Sequence, residues 1–225
     1  KKYTSNQESY NMWRNHIRSF GIGEWMNNDF VSGTKGMLPK HEYYNKYYGR
    51  TSWNSSTIIS MAIGQGELLL TPIQMANISA IIANRGFYFT PHIVKSVEGN
   101  EKIDTTFLEK KYTTINPKHF DVIIEGMEKV IKKSDGTANN IKSNSISICG
   151  KTGTAQNPHG EDHSIFIAFA PKENPEIAIA VYIENGGWGS TWAAPIAGLM
   201  IEKYLKADIN LDVEKFITNG IINSK

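Results

Sequence analysis

The sequence predicts an α+β domain, and three observations carry that prediction. Apolar residues recur at helical spacing in several stretches between residues 8 and 131. Three short strand-like runs then follow in quick succession, and an apolar helix closes the order. Helices first, with a strand meander grouped after them, argue for α+β rather than for alternating parallel units.

The first helix is predicted over residues 8–20, where Trp13, Ile17 and Phe20 share a face and Gly21 and Gly23 supply the stop. Residues 21–57, rich in Gly, Asn, Tyr and Trp, read as a long irregular segment. Gly64-Gln65-Gly66-Glu67 is a tight turn. Thr71 and Pro72 then open a helix as N-cap and first residue, with Gly86 as its C-terminal stop. Short strands and turns are expected over 87–115. Asn116-Pro117 opens another helix, with Phe120, Ile123, Ile124, Met127, Val130 and Ile131 as its buried stripe. Strands are expected over Ser145–Thr154, His163–Ala170 and Glu176–Glu184, joined by links short enough for an antiparallel meander. A final helix is expected over about Trp192–Leu205.

The chain has 225 residues, enough for one sizeable core, with 40% hydrophobic and 20% charged residues. A net charge of +2 gives no electrostatic case for nucleic acid or for an anionic membrane surface. Cys149, the single cysteine, excludes an internal disulfide and a cysteine-based metal site, and reads as a small buried hydrophobe. No apolar run reaches the ~18–20 residues of a membrane-spanning helix. The chain starts Lys1-Lys2-Tyr3 without Met, so it is read as part of a longer protein with room upstream for an anchor.

The chemistry-bearing segment is Lys151-Thr152-Gly153-Thr154, at the end of the alternating run Ser145–Gly150. An ammonium and two hydroxyls on a strand edge suit a carboxylate. Gly153 lets a ligand backbone approach and pair with the strand. A backbone N–H just past it can point at a developing oxyanion, where one donor is worth about 3 kcal/mol. An isolated Lys-Thr-Gly is also what an ordinary strand edge can carry; the two following strands and the apolar helix supply the context that the motif needs.

ICGKTGTAQNPHGEDHSIFIAFAP (148–171) resembles the third motif and following strands of class B penicillin-binding proteins, of the elongation type known as penicillin-binding protein 2. AIGQGELLLTPIQMANISAIIANRGFYFTPHIV (62–94) and NGGWGSTWAAPIAGLMIEKYL (185–205) are similar to the same subfamily. The resemblance implies a penicillin-binding transpeptidase fold, related to serine β-lactamases, of which residues 1–225 are the C-terminal portion. It implies a peptidoglycan D,D-transpeptidase that acts on stem peptides through a serine acyl-enzyme and is acylated by β-lactams. It assigns Lys151 and Thr154 to catalysis, with half of the oxyanion hole from the Thr154 N–H, and Thr152, Gly153 and Thr154 to substrate binding. It implies no metal or organic cofactor, an upstream anchor in the inner membrane with this domain on the outer, periplasmic side, and a cell-wall elongation complex as partner.

That family also needs Ser-x-x-Lys and Ser-x-Asn. Ser-x-x-Lys occurs once, as Ser32-Gly33-Thr34-Lys35, where Gly33, Gly36 and Pro39 oppose the helix that must bring amine to hydroxyl. Ser9-Tyr10-Asn11 falls inside a predicted helix, and Ser52-Trp53-Asn54 follows too soon after Ser32. Both true motifs are therefore expected before Lys1, which leaves this chain without a nucleophile.

His159 and His163, flanking Gly160-Glu161-Asp162, read either as metal ligands or, preferably, as parts of a polar hairpin. Trp188 and Trp192 read as cleft-side loop residues or as a helix-entry staple. Gln65 and Glu67 could reach a cleft or be ordinary turn residues. Tyr43, Tyr44, Tyr47 and Tyr48 could contact a substrate, although a packed loop is preferred. Two rival functions remain at this level: a non-catalytic sensor or scaffold with the same fold, and a serine β-lactamase.

Overall fold

A computed structural model describes residues 5–30, 32–96, 98 and 105–223. The chain forms two compact units, Lys1–Gln74 with Phe87–Ile115, and Met75–Gly86 with Asn116–Lys225.

In the first unit, helix α1 (Asn6–Arg18) starts at Ser5, whose side chain accepts from the Glu8 N–H. Helix α2 (His41–Tyr48) corrects the expectation of an irregular segment over 21–57. Its sequence has no aliphatic stripe, so helical periodicity was invisible there. Its buried face is Tyr44, which packs with Tyr10, Trp53 and Met61. The Tyr10 ring meets those of Tyr44 and Trp53 edge-on, at 5.5 and 5.7 Å. Each buried polar tip has a partner. The Tyr10 hydroxyl donates to the Pro39 carbonyl at 2.7 Å, the Trp53 indole N–H to Asn45 Oδ1 at 2.8 Å, and the Tyr44 hydroxyl to Glu67 at 3.1 Å. Burial pushes the Tyr10 hydroxyl up to about 12.

A short helix, α3 (Ile59–Ala62), precedes the Gly64–Glu67 turn. Helix α4 (Pro72–Ala83) begins where Thr71-Pro72 predicted. Thr71 and Gln74 cap it reciprocally: Thr71 Oγ1 accepts from the Gln74 N–H, and Gln74 Oε1 accepts from the Thr71 N–H. The buried Gln74 amide also donates to the carbonyls of Gly21 and Lys35, at 3.0 Å each. The expected short strands over 87–115 are β1 (Phe87–Tyr88) and β2 (Lys111–Tyr112), an antiparallel pair. Part of that range, residues 97 and 99–104, lies outside the described residues.

The second unit holds strands β3 (Cys149–Ala155), β4 (His163–Ala170) and β5 (Ile177–Ile183), antiparallel in the order β3-β4-β5. This is the predicted meander, with one boundary corrected. Ser145–Ile148 is not strand, although Ile146 and Ile148 are buried in the core. There the chain is held instead by the Lys172 N–H, which donates to both the carbonyl and the hydroxyl of Ser147. Asn116 caps the next helical segment through the Lys118 N–H, and α5 (Phe120–Lys132) follows, packed on β3. Phe120, Ile124, Met127 and Ile131 are its buried stripe, but Ile123 is half exposed, so the stripe is narrower than predicted.

Helix α6 (Ala193–Tyr204) lies on β4 and β5, and α7 (Leu211–Asn223) packs on α6. The contact is close because α6 presents Ala193, Ala194, Ala197 and Ile201 to Phe166, Ala168 and Ala170. Gly150 completes the fit, since a Cβ there would collide with the Phe166 ring.

The second unit also contains the pair Lys172–Glu128, 2.7 Å apart, with side chains 25% and 19% exposed. The hydrogen bond from Lys172, opposed by burial, holds the Glu128 carboxyl below its ordinary range, and the same bond raises Lys172. A depressed carboxylate stabilises the fold above its unfolded pKa, and that contribution is lost as pH falls through its folded pKa. Glu128→Gln is therefore expected to cost about 1–2 kcal/mol at neutral pH. The difference from wild type should shrink in acid, as read by denaturant unfolding at several pH values.

Candidate active site

Strand β3 has β4 on one side only among the described strands, so its other edge is open. Lys151 stands exposed on it, and its ammonium donates to the Thr152 carbonyl at 2.7 Å. Side chains alternate along a strand. Lys151 and Gly153 therefore share one face, opposite Ile167 and Ile165, while Thr152 and Thr154 share the other, opposite Phe166 and Ser164. The sequence reading grouped charge and hydroxyls as one surface. The structure separates them by face and brings the ammonium back to the strand through the Thr152 carbonyl. Backbone direction also alternates, so the Thr154 N–H points to the same side as that carbonyl.

The hydroxyl of Thr152 lies 2.9 Å from that of Thr137, in the turn after α5. Nothing in the sequence around Thr137 singled it out, because this contact depends on how the turn folds back.

The segment between β5 and α6 is seated on the motif strand. A Cβ on Gly189 would collide with the carbonyl oxygens of Ile165 and Gly153, so only glycine allows this approach. Ser164, fully buried, donates its hydroxyl to the Trp188 carbonyl at 2.9 Å and accepts from the Ala193 N–H at 3.2 Å. The Gly187 N–H donates to the Asp162 carbonyl at 2.7 Å, and Asn140 donates to the Ser190 carbonyl at 2.9 Å. Local spacing does not single out Ser164, Gly189 or Asn140, because each acts through a contact with residues far along the chain.

The two tryptophans separate. Trp192 stacks on Phe216 with ring centres 5.5 Å apart, which makes it a packing residue of α7. Trp188 is 73% exposed. His159 and His163 belong to a hydrogen-bonded turn organised by Asn157. The Asn157 side chain accepts from the His159 N–H and donates to Asn185, and His163 Nδ1 accepts from the Asn185 N–H. Cys149 is fully buried, and burial, with a smaller contribution from the Glu128 charge, pushes its thiol up to about 12.

The three motif look-alikes have structural roles or none. Ser32–Lys35 is not helical, so its serine and lysine are not one turn apart. Ser9-Tyr10-Asn11 lies within α1 with Tyr10 buried. Trp53 of Ser52-Trp53-Asn54 is core, and Asn54 accepts from the Ser56 N–H in a local turn. Glu67 accepts from Tyr44, and the tyrosine-rich run is helix α2, with Tyr44 buried and Tyr47 and Tyr48 exposed.

A cation and two hydroxyls on an open strand edge, with N–H groups along it, can bind an extended ligand that ends in a carboxylate. Residues 4–202 match the penicillin binding protein transpeptidase domain. The chain belongs to the penicillin-binding protein transpeptidase family.

Among its relatives, the peptidoglycan D,D-transpeptidase MrdA of Haemophilus influenzae is 32% identical over 93% of this chain and 35% of its own length. The transpeptidase-family chain thus spans about a third of the length of the curated relatives it matches. Pseudomonas aeruginosa PBP2, solved in complex with WCK 5153, superposes with a TM-score of 0.73 at 30% identity, over 88% of this chain and 45% of that one. Helicobacter pylori PBP2, solved in complex with MreC, gives 0.67 at 27% identity, over 90% and 36%. These relatives place the chain in the class B, PBP2-type branch, and its partial α+β fold is that of the penicillin-binding transpeptidases.

The Gly189 contact makes a sharp prediction. Gly189→Ala should destabilise the second unit by about 1–3 kcal/mol, as an overpacking substitution does. Faster amide exchange at Gly153 and Ile165 than in wild type would accompany it, whereas unchanged exchange there would contradict the seating described.

Proposed function

We propose that this chain supplies the carboxylate-binding and oxyanion-holding wall of a peptidoglycan D,D-transpeptidase. The observation that carries the reading is Lys151-Thr152-Gly153-Thr154 on an open, well-supported strand edge. In this reading the stem peptide lies along β3, with its terminal carboxylate at the Thr152 and Thr154 hydroxyls. A serine hydroxyl attacks the carbonyl of the D-Ala–D-Ala bond, and the Thr154 N–H donates to the resulting oxyanion. The tetrahedral centre collapses, the C–N bond breaks, and the terminal D-Ala leaves with the proton taken from serine. The amine of a second stem peptide then attacks the ester, and the serine recovers its proton. Lys151 supplies positive charge beside the attacked bond. β-Lactams enter by the same attack on their strained amide.

The proposal places the attacking serine in a Ser-x-x-Lys motif outside residues 1–225. Ser32 is not positioned for it, and Ser164 is buried with its hydroxyl engaged. It also places the intact protein on the outer side of the inner membrane, held by an anchor elsewhere in its chain. Among the described residues, no helix is long and apolar enough to cross a membrane. A partner of the MreC type in a cell-wall elongation complex is part of the same reading, supported by the PBP2 relative solved with MreC.

Labelling the intact protein with a fluorescent penicillin tests the function. A long-lived adduct supports a transpeptidase, rapid release supports a β-lactamase, and no adduct supports a non-catalytic relative. Residues 1–225 alone should take up none; a stable adduct on Ser32 by mass spectrometry would overturn the assignment of the nucleophile elsewhere. Lys151→Ala in the intact protein is expected to lower the acylation rate on the order of 10²-fold with little change in melting temperature. An unchanged rate would remove Lys151 from the mechanism.

A further inference from the structure

A cavity of about 540 Å³ lies between the irregular segment at 25–34 and the start of α4, and all of its lining belongs to the first unit. Part of that lining is firmly fixed. The buried Gln74 side chain donates to the carbonyls of Gly21 and Lys35 and accepts from the Thr71 N–H, each at 3.0 Å. Trp25, Phe30 and Ile73 give the cavity apolar surface, and Asn27, Asn28 and Thr34 give it amide and hydroxyl groups. Trp25 borders the cavity and is still 61% exposed, so its indole contributes little to the core.

No charged side chain lines the cavity. Asp29 is the charged residue of the 25–34 segment, and its carboxylate is engaged elsewhere, accepting from the N–H groups of Ile93 at 2.9 Å and Val94 at 2.7 Å. Asn28 Oδ1 accepts from the Phe30 N–H at 3.4 Å, and Thr34 Oγ1 from the Gly36 N–H at 3.3 Å. Both bonds use acceptor atoms. Among the described residues, the Asn28 amide hydrogens and the Thr34 hydroxyl hydrogen therefore stay free to donate. An uncharged lining that joins aromatic rings to amides and hydroxyls matches a saccharide. A pyranose ring presents a face of C–H groups to an indole and a rim of hydroxyls to polar side chains. A charged ligand would enter without a counter-charge to meet it.

We propose that this cavity binds an uncharged, N-acetylated saccharide. Trp25 carries the sugar ring. The asparagine amides pair with the acetamido group, whose carbonyl accepts and whose N–H donates as theirs do. The volume of about 540 Å³ falls within the roughly 300–1,000 Å³ of small-ligand sites. Under the proposed function, the source of such a saccharide is the glycan strand to which the stem peptides are attached. That source rests on the transpeptidase reading, whereas the site itself rests on its lining. It binds and orients, and makes or breaks no bond.

The test is a ligand-observed NMR titration of the intact protein with chitotetraose, an oligomer of N-acetylglucosamine, and with cellotetraose, which has the same linkage without acetamido groups. Saturable chitotetraose binding is expected, with a Kd on the order of 1 mM, and cellotetraose should bind about tenfold more weakly. Trp25→Ala should weaken chitotetraose binding about tenfold, and Trp25→Phe should recover most of the loss. Melting temperatures close to wild type would show that both variants fold, as the exposure of Trp25 predicts. No saturable binding, equal affinity for the two oligomers, or an affinity unchanged in Trp25→Ala would each overturn the site. Fluorescent-penicillin labelling of the same samples keeps the two readings apart. Labelled protein that binds no chitotetraose loses the saccharide site alone. Unlabelled protein that binds it through Trp25 keeps the site and loses the transpeptidase reading.

Discussion

Gly189 lies against the backbone of Gly153 and Ile165, where no side chain fits, and the shape of the motif edge depends on that contact. It lets the β5–α6 segment settle on the strand pair. Ser164 then locks the segment from beneath, with one hydroxyl serving the Trp188 carbonyl and the Ala193 N–H. A buried hydroxyl that satisfies two backbone groups is worth more than its own bond, because losing it leaves both groups unpaired away from water. The strand that carries Lys151 and Thr154 is thus supported largely through its neighbour β4, with the Thr152 hydroxyl adding a contact to Thr137.

The same economy of side chains runs through the second unit. Alanines on α6 and Gly150 on β3 let helix and sheet approach closely around Phe166. Under the proposed function such rigidity serves the Thr154 N–H, since a donor aimed at a developing oxyanion is effective only when it does not need to reorganise. The first unit uses another solution. Its core is a set of edge-on aromatic rings whose hydroxyl and indole tips all find partners. Such rings fill space without an aliphatic stripe, which is why α2 escaped sequence periodicity although it holds the fully buried Tyr44.

Much of the fold was legible because local chemistry and tertiary packing agreed. Thr71-Pro72 and Asn116-Pro117 opened helical segments where predicted, and β4 runs over the residues predicted as strand. Where packing decides, local signals failed. Ser145–Ile148 alternates like a strand but is held by Lys172, and Ile123 sits on a helical stripe yet faces outward.

The sequence by itself determined the family, the meander, and the identity of the motif residues, because those are written in residue type and spacing along short segments. It also excluded the motif look-alikes, since Gly33 and its neighbours oppose a helix in any context. Only the tertiary structure decided which face each motif residue takes, that Thr137, Ser164 and Gly189 support them, and that Trp192 stacks on Phe216 while Trp188 is exposed. Those facts follow from contacts between residues 15 to 36 positions apart along the chain, such as Thr137 on Thr152 and Gly189 on Gly153. No local pattern encodes them, because a loop's landing place is set by the surface that receives it.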